Sequence, residues 1–540
     1  MANKIKSYFA SEPITQVIGP QIGIVPETNT VKITIAFPNQ AFRKLTCVLL
    51  DQENQIIDKI ECKVLNEVFG HYIFEFHGLS SKEKYQYRFI DEEETEIDLE
   101  GGLTPNDCCF VIPDFNTQTD FVLLSCNNPF HSGQKEEAQF KMWELLRQQI
   151  KDDRSIALLI QGGDQLYNDD IEMECLKLLK DTPDDQSQVH QMIIKNYQHY
   201  YGNIDYRKIM ASTPSVAMLD DHDITDGWGG RPESFDKDKN IKPEWQAFFD
   251  ISYEAFKAYQ TSKNPSIRLA EGTETTYIDF GKNRLYLMDL RKEKNIHNGT
   301  NPLLSKTHEE NLTCSIRSLP DHIQSLFILS PVVPVRINPT TEEALGDFSR
   351  FLYECRGKAK IKMNSSEQWG WFWKCVYALS GVGGIADLTD DLVDGLASIT
   401  NRPFLIRLLQ EMAILQKAKG TKLVILSGDI HVGGVSEIFV RDGNQKTIIS
   451  QIVSSPIGYE PMKKIAKDKT TEEIEYEIKI KAKNSSTEED TVKITARNIF
   501  YRSDRNFAIY RNSETLTEDR VEFHFEGLSE PILSPVSFSK

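Results

Sequence analysis

The sequence predicts an α/β core built on two packed sheets and preceded by a separate β-sandwich, and three observations lead there. Residues ~12–112 carry short apolar or alternating runs punctuated by turn residues, the pattern of an all-β unit. From about Asp120, apolar strands alternate with amphipathic helical stretches, the rhythm of an α/β core. Beyond Val435 the pattern returns to strands, as expected of a second sheet packed on the first.

In the N-terminal part, Thr30–Phe37, Leu45–Leu50, Ile56–Val64, Tyr72–Phe76 and Tyr85–Ile90 read as strands, with Pro26, Pro38, Asn39 and Gly78 at the turns. About a hundred residues at that spacing make a sandwich. Gly78-Leu79 followed by Tyr85-Gln86-Tyr87 resembles the Leu-then-Tyr corner of fibronectin type III-like domains. Leu103–Thr119, with Pro105, Asn106, Pro113 and Asn116, reads as the linker. It divides the chain into a sandwich domain, residues 1–115, and a second domain, residues 116–540.

In the second domain Phe121–Ser125, Ile156–Gln161, Ser215–Leu219, Arg284–Met288, Leu326–Ser330 and Leu423–Leu426 are apolar runs of strand length. Gln134–Ile150 puts Phe140, Trp143, Leu146 and Ile150 on one helical face. Further helices are expected at Ile171–Leu179, through the Tyr-rich Val189–Met210, at Pro243–Thr261, near Thr341–Arg356 and at Pro403–Lys419. The strands expected to form the second sheet are Val435–Val440, Thr447–Val453, Ile474–Ile480 and Val521–Phe525. Lys463–Arg497 alternates charge densely, which suits a solvated hairpin or insert.

Composition narrows the function. With 80 acidic against 62 basic residues the formal net charge is −18, which argues against a nucleic-acid backbone or an anionic membrane as a stable partner. An acidic protein acting on an anionic substrate needs a local cation. The nine Cys show no Cys-x-x-Cys spacing, so neither a disulfide framework nor a zinc ribbon is expected. No window approaches the roughly 18 apolar residues of a membrane helix. The first residues, MANKIKSYFASEP, have neither an apolar signal core nor twin arginines. The expected compartment is the cytoplasm, with export by a route lacking a cleavable signal as the alternative; oligomeric state is not legible.

Several predicted strands end in side chains able to bind a ligand. In Leu158–Tyr167, Gly162-Gly163 lets the backbone turn sharply and leaves Asp164 at the strand's carboxyl end, where open α/β sheets place their sites. A lone Asp there caps the following helix more often than it binds a metal. The design recurs, however, in Leu124-Ser125-Cys126-Asn127-Asn128, Leu219-Asp220-Asp221-His222-Asp223, Met288-Asp289-Leu290-Arg291 and Ser427-Gly428-Asp429-Ile430-His431. Burying that many like charges in one crevice without a cation would be prohibitively costly. Carboxylates can bridge two cations about 3.5–4 Å apart. A thiolate and a phenolate favour a trivalent or softer ion, whereas Asp oxygens suit Ca²⁺, Mg²⁺ or Mn²⁺, so two unlike metals are expected. His222, between Asp221 and Asp223, is placed to act as a general acid oriented by a carboxylate. Arg291 is a candidate bidentate phosphate ligand, with a salt bridge to a nearby Asp as the other option.

Taken in order, SCNN, GGDQLY, LDDHD, MDLR and SGDIH resemble the alkaline phosphatase D (PhoD-like) family of calcineurin-like metallophosphoesterases, over roughly residues 120–455. The Tyr of GGDQLY is telling, because the wider superfamily has Asp at that spacing. The resemblance implies a four-layer αββα core behind the fibronectin type III-like sandwich. It implies Cys126 and Tyr167 as iron ligands, Asp164 as the bridging carboxylate, and Asp221, Asp429 and His431 as further ligands. It implies His222 beside the scissile group; Asp223 is a second candidate catalytic residue, and Arg291 and Asn128 are the candidate substrate contacts. The implied cofactors are Fe³⁺ and Ca²⁺, with Mn²⁺, Mg²⁺ or Zn²⁺ as substitutes. The implied reaction is hydrolysis of small-molecule phosphomonoesters and some diesters by a metal-bound hydroxide at a dinuclear or trinuclear site.

The chain departs from the family pattern in two places. Asp223 stands where Glu is usual, a shorter arm toward His222. Asp390-Asp391-Leu392-Val393-Asp394-Gly395-Leu396 resembles a family segment ending in His-Trp, which Gly395-Leu396 replace. That replacement leaves open a catalytically inactive, metallophosphatase-like binding protein. A Cys126-dependent hydrolase is a third option, but the Arg a cysteine phosphatase needs six positions on is Ser132 here.

Overall fold

The computed structural model describes residues 16–40, 42, 44–117, 119–130, 139–153, 155–297, 302–334, 395–396, 398, 401–442, 445–459, 476–481, 491–513 and 519–539. Outside them lie the helix expected near Thr341–Arg356, residues 390–394 of the acidic segment and parts of the charged Lys463–Arg497 stretch. Among the described residues no helix is long and apolar enough to cross a membrane.

The N-terminal part folds as two antiparallel sheets. Its strands are β1 (Ile18–Val25), β2 (Thr30–Ala36), β3 (Leu45–Leu50), β4 (Ile56–Cys62), β5 (His71–Phe76), β6 (Lys84–Ile90) and β7 (Cys109–Val111). They pair in the orders β1-β2-β5 and β4-β3-β6-β7. Ile33, Phe74, Cys47, Leu49 and Phe89 are buried in one cluster between the sheets, and the Phe74 and Phe89 rings lie 5.6 Å apart. β2 is buried along its whole length, Lys32 and Thr34 included. Its outward face is covered by later parts of the chain, where Lys32 Nζ reaches Ser266 Oγ at 2.6 Å. β1 was not foreseen, because Gly19, Pro20 and Gly23 disguise it. Gly23 is required there: a Cβ would stand 1.9 Å from the carbonyl oxygen of Lys263.

The remaining elements are β8 (Asp120–Leu124), α1 (Lys141–Asp152), β9 (Ile156–Gly162), α2 (Asp169–Asp181), α3 (Ser187–Tyr200), α4 (Ile204–Ser212), β10 (Ser215–Met218), α5 (Pro243–Tyr259), β11 (Thr276–Phe280) and β12 (Asn283–Leu287). There follow α6 (Lys306–Arg317), β13 (Ser325–Leu329), α7 (Arg402–Lys419), β14 (Lys422–Ser427), β15 (Gly433–Asp442), β16 (Gln445–Ser454), β17 (Tyr476–Lys481), β18 (Thr491–Arg502), β19 (Asn506–Arg511), β20 (Arg520–Phe525) and β21 (Ile532–Pro535). The Tyr-rich stretch expected as one helix is two, α3 and α4. The break falls at Gly202-Asn203, where Asn203 Oδ1 accepts the amides of Asp205 and Tyr206 and caps the second helix.

These strands form two mixed sheets, β10-β9-β8-β19-β20-β21 and β11-β12-β13-β14-β16-β15-β18-β17. β10, β9 and β8 run parallel, as do β12, β13, β14 and β16. The sheets face each other, with the Phe121 ring edge-on to Phe327 at 5.2 Å and Phe327 edge-on to Tyr510 at 5.1 Å. On the far face of the eight-stranded sheet, Leu326, Ile328 and Ile425 pack with Leu312 and Ile316 of α6 and Leu408 and Met412 of α7. The division of strands corrects the expectation from sequence. Val521–Phe525 belongs to the first sheet through β19, whereas Arg284, Leu326 and Leu423 begin or lie in strands of the second. Sheet membership is set by non-local pairing, which apolar runs do not encode. The charged stretch does contribute a hairpin-like pair, β17 with β18.

Candidate functional site

The carboxyl ends of β8, β9, β10 and β14 meet at one crevice between the sheets. β8 leads into Cys126, β9 into Asp164, β10 into Asp220–Asp223 and β14 into Asp429 and His431. Cys126 (φ 55°), Asp164 (φ 55°), Asp429 (φ 67°) and His431 (φ 52°) all take left-handed backbone. That conformation is costly for residues bearing a Cβ, and such strain collects where the surrounding fold imposes a site. Gly163 makes the turn possible: its φ is 105°, and a Cβ would stand 2.6 Å from Asp220 Cβ. Ser125 and Gly428 touch across the crevice in the same way, a Cβ at Gly428 falling 2.4 Å from Ser125 Oγ.

Hydrogen bonds lock the strand ends together. The amides of Cys126 and Asn127 donate to the carbonyls of Gly163 (3.2 Å) and Asp164 (2.8 Å). Cys126 Sγ lies 3.3 Å from Asp164 Oδ2 and 3.6 Å from the Asp429 carbonyl oxygen. Asp164, Asp221 and His222 each present a ligand atom within 4.8 Å of the others.

Burial pushes the Asp164 carboxyl well above the usual range; His222 opposes this, and Asp220, Asp221 and Asp223 add to it. Burial, then the neighbouring Asp164, raises the Cys126 thiol. The Tyr167 phenol is raised by burial, then by Cys126 and Asp164. Asp221 is the exception: burial would raise it, but Arg291, His222 and Lys294 hold it below the ordinary range. Asp164 Oδ1, Asp220 Oδ2 and Tyr167 OH are buried and have no hydrogen-bond partner among the described residues. A buried set of orphaned oxygens beside a thiol suits a cation, whose charge would favour the ionised form of each.

The remaining expected residues occupy more specific positions than the sequence suggested. Asp223 does not reach His222. Its carboxylate accepts the amides of Asp164 and Asp220 (2.9 Å each) and Gln165 (3.1 Å) and the Gln260 side chain (2.9 Å). Burial raises it to about 6. The carboxylate on His222 is instead Asp169, the first residue of α2, with Oδ2 2.8 Å from Nδ1. Nothing local distinguished Asp169 from an ordinary acidic first turn. Arg291 is 1% exposed and forks onto Asp220, with Asp221 at 3.3 Å. The salt-bridge option is thus present, on two carboxylates. Asn128 is buried, its Oδ1 accepting from Tyr200 OH (3.0 Å) and the Phe130 amide (3.2 Å). Asp289 turns to Tyr253 OH (2.7 Å) and nearby amides.

Tyr459, which the sequence did not single out, stacks between Tyr167 (5.2 Å) and His431 (4.2 Å). An open groove of about 1080 Å³, bordered by Lys417, Lys446, Phe439 and Phe538, contains none of these residues.

Comparison with known proteins bears on this arrangement. Residues 121–317 match the sequence model of the family described as PhoD-like phosphatase. The uncharacterized protein YGR266W of Saccharomyces cerevisiae is 22% identical over 413 residues, covering 67% of this chain and 56% of that protein. The chain thus corresponds to little more than half of that relative's length. A solved structure of PhoD superposes over 98% of this chain and 90% of its own, with TM-score 0.58 at 13% identity. That likeness shows a shared fold.

Proposed function

Because the chain belongs to the PhoD-like phosphatase family, we propose that it is a metal-dependent hydrolase of phosphate esters, acting on phosphomonoesters and also on diesters. The observation that carries this is the cluster of Asp164, Asp221 and His222 beside Cys126, with buried oxygens left without partners. Cys126, Asp164, Tyr167, Asp221, Asp429 and His431 would hold the cations, iron(III) and calcium first, with manganese, magnesium or zinc as alternatives. When bound, these supply the positive charge that polarises the phosphoryl oxygens and acidifies water.

The chain's own residues do the rest. Asp169 at Nδ1 fixes the His222 ring, leaving Nε2 to carry a proton to the departing oxygen. Asp223 positions the loops that bear Asp164 and His222 by binding three of their amides. Arg291 offsets part of the negative charge of Asp220 and Asp221, which lessens the repulsion of an anionic substrate by the crevice of an acidic protein. Asn128 acts through Tyr200 and the chain that follows it.

We also read the core as four layers, helix-sheet-sheet-helix, and the sandwich (residues 1–115) as fibronectin type III-like. Supporting the latter are its three- and four-stranded sheets and the Ser80 amide donating to Tyr85 OH at 3.0 Å, a corner of the expected kind. Elemental analysis of the purified protein, with phosphomonoester and diester assays with and without chelator, tests the function. Chelator-sensitive turnover supports it. Turnover indifferent to chelator would sink it, and bound metal without turnover would favour a binding protein.

A further inference from the structure

We propose that Tyr459 is a positioning residue for the metal-ligand set, a ring wedged between Tyr167 and His431 that fixes the separation of side chains carried by different sheets. The inference rests on the proposed metal site. Tyr167 follows β9 of the six-stranded sheet and His431 follows β14 of the eight-stranded sheet. No covalent link sets their spacing, yet metal ligands must be held to within a few tenths of an ångström.

Four rings form a continuous stack. His222 packs on Tyr167 with centroids 4.1 Å apart at 30° between planes. Tyr459 lies 5.2 Å from Tyr167 at 29° between planes, and His431 lies 4.2 Å from Tyr459 at 28°. With two rings packed near-parallel against it, the Tyr167 phenol has little room to turn about its own bonds. Offset, near-parallel packing is a favoured geometry for such pairs.

The residue that carries the wedge is itself tied to a further expected ligand. The amides of Gly458 and Tyr459 both donate to the Cys126 carbonyl, at 3.2 and 3.1 Å, and the Ile457 amide donates to that of Ser125 at 2.9 Å. The close approach depends on Gly458, where a Cβ would stand 2.9 Å from Asn127 Oδ1 and 3.0 Å from the Asn128 amide. Through backbone and ring together, Tyr459 touches the carriers of Cys126, Tyr167 and His431.

The test compares wild type with Tyr459→Phe, which keeps the ring, and Tyr459→Leu, which keeps bulk without it. Mn²⁺ alone is titrated into each chelator-stripped protein by calorimetry, and the unfolding midpoint in chelator is measured alongside. The expected result is wild-type affinity within about threefold for Tyr459→Phe. Tyr459→Leu is expected to bind at least about tenfold more weakly at an unchanged midpoint, the size of effect that groups orienting metal ligands exert. Wild-type affinity in Tyr459→Leu overturns the proposal. So does an equal loss in both variants, which would assign the effect to the hydroxyl, or a Tyr459→Leu chain that no longer folds, which would assign Tyr459 to the fold. Cation binding by wild type without ester hydrolysis would remove the phosphatase reading and leave this one standing.

Discussion

Asp169 Oδ2 lies 2.8 Å from His222 Nδ1 although 53 residues separate the two in the chain. The second oxygen of Asp169 accepts the Asp226 amide at 2.7 Å. The carboxylate is therefore fixed at both oxygens, and it fixes the imidazole in turn.

Replacing Asp169 by Asn should leave the cations bound but let the imidazole adopt the wrong orientation or tautomer. We expect kcat on a phosphomonoester to fall by at least about tenfold, and by roughly 10²- to 10⁴-fold in His222→Ala, the range of general acid–base contributions. Elemental analysis separates this from metal loss. Wild-type turnover in Asp169→Asn would remove Asp169 from the reaction.

Asp164→Asn should abolish metal retention and turnover while the stripped protein keeps or gains stability. Its carboxyl is buried, has one oxygen without a partner and faces three other Asp residues; relieving like-charge crowding costs the apo fold nothing. Chelator should lower the unfolding midpoint of wild type, which loses ligand-linked stabilisation, and leave that of Asp164→Asn unmoved. Equal chelator shifts in the two proteins would contradict the assignment.

Asp223→Ala should destabilise the protein through the fold rather than through chemistry. Its removal strands the buried amides of Asp164, Gln165 and Asp220. A loss of about 3 kcal/mol or more is expected by denaturant unfolding, from several unmade buried hydrogen bonds. A change under about 0.5 kcal/mol, the usual surface range, would show that these bonds do not organise the loops.

The sandwich carries its own pH dependence. His71 is buried in β5, and burial lowers its pKa from 6.5 to about 4. Because the folded value is depressed, the neutral ring's contribution is present above pH 6.5 and is lost as pH falls toward 4. Over that window wild type should lose about 3 kcal/mol more than His71→Leu. Parallel stability profiles for the two proteins at pH 4 to 7.5 would refute it.

What the sequence disclosed and what it withheld follow one physical line. The placement of Cys126, Asp164, Tyr167, Asp221, Asp429 and His431 was legible because each sits within a few residues of an apolar strand that delivers it to the crevice. Asp169 and Tyr459 were not, since their partners are set by through-space packing. Arg291 was ambiguous for the same reason: either a carboxylate or a phosphate satisfies a guanidinium. The sorting of strands into two sheets failed where β19 and β20 cross back to pair beside β8.

The seating of Gly23 against Lys263 has a consequence for how the molecule comes apart. Arg207 of α4, 1% exposed, donates to the carbonyls of Gly19, Leu99 and Glu100. Tyr87 OH in turn reaches the Ala211 carbonyl at 2.8 Å. Cutting the chain at residue 115 would leave the buried Arg207 guanidinium and the Ala211 carbonyl without these partners. The two regions should melt as one cooperative block in calorimetry, with the N-terminal sheets a foundation for the rest of the fold, not a detachable appendage.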